Sequence, residues 1–151
     1  KEYANAEGFL IKAIDLNPNY TEAYMLHADL FYTINDYTKA IKEYNKAILT
    51  DKKMISAYYN RGANYMKLND LSKSLSDFNT ALKLDPEYIL ALGGRASIYL
   101  LKKDYINAIN DYNKILELNK QDYTLKQISE QVGFSQQAIS KYLKKKNETN
   151  N

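Results

Sequence analysis

Two prolines, Pro18 and Pro86, each follow a Leu-Asn or Leu-Asp pair, and halving the interval between them gives a period that the rest of the chain obeys. A fixed period of this length means a stack of like supersecondary units, because each unit alone cannot bury its apolar face. Laid out on thirty-four columns, residues 21–54, 55–88 and 89–122 align as full units, with 1–20 as the second half of an earlier one. A chain that opens on the second helix of a pair is expected to be a piece of something longer.

The columns make physical sense as packed helices. Position 8 of each unit is small (Ala28, Gly62, Ala96), as are position 20 (Ala6, Ala40, Ser74, Ala108) and position 27 (Ala13, Ala47, Ala81). Antiparallel helices whose axes pass at about 8–10 Å need small side chains where their backbones approach. Large residues fill the intervening columns: Tyr24, Tyr58 and Leu92 at position 4, Phe31, Tyr65 and Tyr99 at position 11, Leu10, Tyr44, Phe78 and Tyr112 at position 24. Of the 15 tyrosines, 11 fall in such packing or turn columns, so the aromatic richness reads as core and not as a stacking platform for nucleic acid. An acid followed by a hydrophobe recurs at Glu2-Tyr3, Asp36-Tyr37, Asp70-Leu71 and Asp104-Tyr105, where an oxygen acceptor suits the start of a second helix. Pro18 and Pro86 end that helix, since proline has no N–H to continue it. With only 5 Gly and 2 Pro in 151 residues, little else interrupts helical structure.

Small residues at 8, 20 and 27, aromatics at 4, 11 and 24, and proline at 32 resemble the tetratricopeptide repeat family over residues 1–122. Departures are Lys52 and Lys120 in place of proline, and His27, Arg61 and Arg95 where leucine is commonest. Ile115 replaces the small residue of the last full unit, which suggests that the standard packing stops there. The resemblance implies an all-α fold, a solenoid of helical hairpins wound as a right-handed superhelix, followed here by a C-terminal pair of short helices. It also implies a scaffold for protein–protein interaction, binding a peptide segment or helix of a partner in a concave groove lined by the first helix of each pair.

Helical spacing assigns positions 2, 5, 6, 9, 12 and 13 to that groove. The residues expected to meet a peptide are Met25, Asp29 and Tyr32 from the first full unit, then Tyr59, Asn60, Ala63 and Met66. The third contributes Leu90, Gly94, Ser97 and Leu101. Methionine adapts its shape, tyrosine buries area at small entropic cost, and the Asn60 amide can both give and accept backbone hydrogen bonds. The carboxylate clamp by which some relatives grip heat-shock-protein C-termini needs Lys and Asn at 5 and 9, Asn at 6 of the next unit, then Lys and Arg at 2 and 6. This chain offers Met25, Asp29, Asn60, Leu90 and Gly94; only Asn60 fits, and Asp29 would repel a carboxylate. A clamp of that kind is not expected.

The period breaks after Asp122. Thr124 and Gln127 begin a capping box, Gly133 suits a helix end, and Ser135 suits the next helix start. Two readings fit residues 123–146. One is a lid of capping helices over the last unit. The other rests on a resemblance to the DNA-binding helix-turn-helix of Cro-type phage repressors over residues 124–143, which implies a regulator touching DNA. Its base readers would then be Gln136 and Gln137, assisted by Ser140, with Lys141 and Lys144 on phosphates. Residues 1–122 are electrically neutral, and the whole net charge of +3 lies in 123–151, so an anionic partner such as nucleic acid would meet that tail. Residues 147–151 read as unstructured.

The remaining inventory narrows the function classes. There is no cysteine, hence no disulfide and no thiolate chemistry; this is compatible with a reducing, cytoplasmic setting. The single histidine, His27, sits in a packing column, no glycine-rich phosphate loop is present, and the carboxylates fall mostly on turn or outer positions. No enzyme activity, cofactor, metal site or membrane span is expected.

Overall fold

A computed structural model of the chain describes residues 2–119. The C-terminal segment, including the expected helix pair at 123–146 and the candidate DNA contacts Gln136, Gln137, Ser140, Lys141 and Lys144, lies outside the described residues. The described residues form α1 (Glu2–Leu16), α2 (Thr21–Thr33), α3 (Tyr37–Thr50), α4 (Ile55–Lys67), α5 (Leu71–Leu84), α6 (Ile89–Leu101) and α7 (Tyr105–Asn119). Helices α2, α4 and α6 start one sequence period apart, and so do α3, α5 and α7. These are the helical hairpins that the spacing predicts. Two compact units are distinguished, residues 1–94 and 95–151.

Each turn is written in the sequence twice over. At the end of α2 the N–H of Asn35 bonds to the Tyr32 carbonyl at 2.9 Å and that of Asp36 to the Phe31 carbonyl at 2.9 Å. This pair of bonds is a Schellman closure, which needs a left-handed residue after the helix. Asn35 supplies it at φ 61°, Asn69 at 60° and Lys103 at 60°. The next residue is the acid that caps the following helix: Asp36 accepts from Lys39 N–H at 3.0 Å, Asp70 from Lys73 N–H at 3.2 Å and Asp104 from Asn107 N–H at 3.3 Å. By contrast α2 and α4, the first helices of their hairpins, start without a side-chain cap.

The turn after a second helix works even where proline is replaced. Asp51 accepts from Lys53 N–H at 2.8 Å and Asp85 from Glu87 N–H at 2.9 Å, closing the same local turn with Lys52 in one case and Pro86 in the other. The position-4 tyrosines lock it: Tyr24 Oη donates to the Pro18 carbonyl at 3.1 Å and Tyr58 Oη to the Lys52 carbonyl at 3.2 Å.

In the 1–94 unit α1 packs on α2, α2 on α3, α3 on α4 and α4 on α5. In the full units the small columns leave solvent completely, with Ala28, Ala40, Ala47, Ser74 and Ala81 all 0% exposed, whereas Ala6 and Ala13 of α1 are half-buried. A further small column, Ala23, Ala57 and Ala91, is equally buried and belongs with them. The large side chain at their centre in α5 is Phe78, fully buried. A Cβ at Gly62 would stand 2.9 Å from its ring, and one at Gly94 only 2.6 Å, so both glycines are notches for Phe78. In the unit that begins at Arg95, Ala96, Ile98 and Ala108 are fully buried.

Candidate functional site

Of the positions where leucine is replaced, Arg61 and Arg95 turn out to be one half of a repeated cross-brace, and His27 stands at the same place beside an acid that it does not bond. Arg61 Nε and Nη2 donate to the two oxygens of Asp77 at 2.8 and 2.6 Å, and its Nη1 donates to Asn45 Oδ1 at 2.7 Å. One guanidinium thus ties α4 to both α5 and α3, in the planar two-pronged geometry that suits a carboxylate. The bond to Asp77 holds the guanidinium more firmly in its charged form. Within the following unit Arg95 makes the same pair of bonds to Asp111, at 2.8 and 2.7 Å. In the α2–α3 hairpin the pair is His27 and Glu43, whose Nδ1 and Oε2 lie 3.4 Å apart without hydrogen-bond alignment. The carboxylates expected mostly on turns and outer positions have three exceptions here: Glu43, Asp77 and Asp111 are buried. Each acid follows its partner at the same interval along the chain, one that only the hairpin brings together.

A recess of about 210 Å³ opens between α2 and α4. Asp29 and Tyr32 of α2 face Tyr59, Asn60 and Ala63 of α4 across it, with Tyr44 and Asn64 at its wall. Five of the residues chosen from the sequence meet there. Tyr44 brings a phenol into the core, 2% exposed, and its hydroxyl donates to Asp29 Oδ1. Burial, followed by the hydrogen bond and the charge of Asp29, pushes the Tyr44 phenol well above its ordinary pKa, so it stays a donor. Burial also raises Tyr59, with Tyr32 adding to the effect. The Tyr59 ring is held by Phe78 at 5.8 Å and, edge-on, by Tyr88 at 5.7 Å.

The other expected groove residues lie outside the recess lining. Met25 packs on both apolar clusters of the α2–α3 hairpin, and Gly94 is filled by Phe78. Met66 is half-buried, and Leu90 is exposed. In the 95–151 unit Ser97 is half-buried and Leu101 exposed. Sequence reasoning missed Tyr44 and Asn64 as walls of the recess. Tyr44 falls in a packing column, and nothing local marks Asn64. Among the described residues, no group of three or more potential metal ligands occurs, and no helix is long and apolar enough to cross a membrane.

Comparison with known proteins agrees with this geometry. A comparison with curated protein sequences gives no match. The structure of MamA (41-end) from Desulfovibrio magneticus RS-1 superposes with a TM-score of 0.71 at 25% identity, covering 81% of this chain and 70% of the other. A tetratricopeptide repeat protein from Parabacteroides merdae gives 0.74 at 28% identity over 80% of this chain and 48% of its own. The second TPR of Spaghetti (RPAP3), solved bound to the HSP90 peptide SRMEEVD, gives 0.63 at 22% identity over 65% and 91%. Models described as tetratricopeptide repeat match residues 55–88 and 90–122, and one described as TPR repeat matches 28–69. The chain belongs to the tetratricopeptide repeat family.

Proposed function

We propose that this protein is an interaction scaffold that holds a peptide segment of a partner protein against the α2–α4 face. The observation that carries the reading is the recess itself: three tyrosines, a carboxylate and two amides converge on one concavity. Exposed Leu26 and Leu90, on α2 and α6, extend apolar surface along the same first-helix positions. Tyrosine and asparagine together give contact area and backbone hydrogen bonding without demanding one side-chain sequence.

The peptide held by the RPAP3 domain is acidic, and the residues here do not favour such a ligand. Asp29 occupies a position where a carboxylate clamp needs a neutral amide, and Leu90 and Gly94 stand where it needs cations. A different class of peptide is the natural occupant.

Selection of a random peptide library on the immobilised chain tests this. Enrichment of related peptides, lost in the Tyr59→Ala/Asn60→Ala double variant while its helical circular dichroism stays unchanged, is the expected result. Identical enrichment by the double variant would place binding elsewhere and end the proposal.

A further inference from the structure

The recess presents more acceptors than donors. Asn64 is 1% exposed, and its Nδ2 donates to the Asn60 carbonyl at 2.8 Å, which fixes the nitrogen end of the amide. The other end, Oδ1, is therefore an acceptor, and it has no partner among the described residues. Asp29 is exposed and takes one donor from Tyr44, whereas a carboxylate has room for about four. Tyr32 and Tyr59 line the same recess, and aromatic rings of this kind attract cations. On the groove side of α2, Glu22 lies two turns before Asp29, while the matching positions of α4 are Ser56 and Ala63. The cation nearest in sequence within α4, Arg61, is committed to Asp77 and Asn45; exposed Lys67 stands on the last turn. At the recess wall Asp29 and Asn64 Oδ1 can only accept, while the Asn60 amide and the tyrosine hydroxyls can both give and accept.

We infer that the recess between α2 and α4 is a pocket for an ammonium or guanidinium group, supplied by a lysine or arginine side chain of the bound peptide. The inference rests on the peptide-binding reading and names the chemistry of its anchor. Asp29 neutralises the charge, the tyrosine rings stack beside it, and the Asn64 oxygen receives an N–H that none of the described residues provides.

The test uses five N-acetylated, C-amidated peptides of sequence Gly-Ser-X-Ser-Gly, with X as arginine, lysine, citrulline, norleucine or glutamate. Binding is followed by the amide resonances of Ala63, Asn64 and Tyr32 in the full chain. Citrulline and norleucine keep the shape of arginine and lysine without the charge. Saturating shifts with the two cationic peptides are expected, weakened about tenfold in Asp29→Asn, where the amide oxygen still accepts from Tyr44 but the charge is gone. The exposed Tyr32→Leu variant, which leaves the core untouched, is expected to lose a few-fold for the arginine peptide and nothing for norleucine. Equal shifts with the neutral analogues would overturn the cation pocket while leaving the peptide groove intact. So would a preference for cations that survives both substitutions. No shift with any of the five also overturns it, and the library selection then judges the groove by itself.

Discussion

The α2–α3 and α4–α5 hairpins share one register but solve two polar problems differently. In α4–α5 the core aromatic is Phe78, which asks nothing of its neighbours, and the charge column is closed by Arg61 in a two-pronged bond to Asp77. In α2–α3 the core aromatic is Tyr44, whose buried hydroxyl must find an acceptor and takes Asp29. The charge column there is His27 beside Glu43, with neither imidazole nitrogen hydrogen-bonded; Glu43 instead accepts from Lys46 at 2.8 Å. One hairpin directs its ionic groups inward, as a brace. The other turns a carboxylate outward to the recess, and what makes it the chemically eligible face is the extra oxygen on Tyr44.

The largest predicted difference lies in the brace. Asp77→Ala strands a half-buried guanidinium and is expected to cost about 3–5 kcal/mol. Glu43→Ala removes a carboxylate that His27 does not bond, and is expected to cost about 1–2 kcal/mol. Urea unfolding followed by circular dichroism gives both numbers. Equal losses would mean that the His27–Glu43 pair is a brace after all and would erase the contrast.

Next comes the notch around Phe78. Gly94→Ala sets a methyl 2.6 Å from the ring, and Gly62→Ala sets one at 2.9 Å, so each is expected to destabilise by about 1–3 kcal/mol. The matching residue of the α2–α3 hairpin to Gly62 is already Ala28, fully buried beside Tyr44, where that methyl is accommodated. If overpacking is the cause, Phe78→Leu combined with Gly94→Ala should lose less than the two single changes added together. Strict additivity would point to a backbone effect of the alanine instead.

How much of this was legible in the sequence differs by kind of interaction. The hairpins, their turns and the small columns follow from a period that repeats local chemistry, and a period shows in one chain without any alignment. The fully buried Ala23, Ala57 and Ala91 column was legible too, since it recurs once in every unit, but alanine inside a helix draws no attention. The ion pairs were half legible: Arg61 and Arg95 stood out against leucine, while Asp77 and Asp111 looked like surface carboxylates until the hairpin folded them back. The recess was legible as a list of first-helix positions. Its walls were not, because Tyr44 belongs to a second helix and reaches the site only through a hydroxyl that its column does not require. Gly94 shows the opposite error, a groove position by spacing that a neighbour's ring has filled.

Smaller effects separate the two kinds of helix start. Asp36→Ala and Asp70→Ala each remove a side-chain cap and are expected to lower stability slightly, read as a fall in the urea midpoint. The uncapped starts offer the reverse: Tyr20→Ser before α2, at an exposed position outside the apolar clusters, is expected to add stability, read as a rise in the urea midpoint. The pKa of Asp36 is lowered by the Lys39 N–H bond first, and that of Asp70 by its Lys73 ammonium and N–H. Groups whose folded pKa is depressed stabilise fully above the unfolded value and lose that contribution as pH falls through the folded one. Both caps should therefore weaken below the ordinary 3.8, and the alanine variants should show a shallower loss of stability in that window.

The left-handed turn residues give the finest comparison. Asn35, Asn69 and Lys103 hold nearly the same φ, close to 60°, yet asparagine tolerates that region better than lysine does. Lys103→Gly is expected to stabilise by up to about 1 kcal/mol, because glycine carries no Cβ to clash with the following carbonyl. Asn69→Gly should gain only a few tenths of that scale, since the asparagine strain is already small and glycine adds entropy to the unfolded chain. Measured on one background, the order Lys103→Gly above Asn69→Gly checks whether the Schellman closure sets the turn. Should Lys103→Gly destabilise, the lysine stem would be holding the turn through packing, and conformational strain would not be what distinguishes it from the two asparagines.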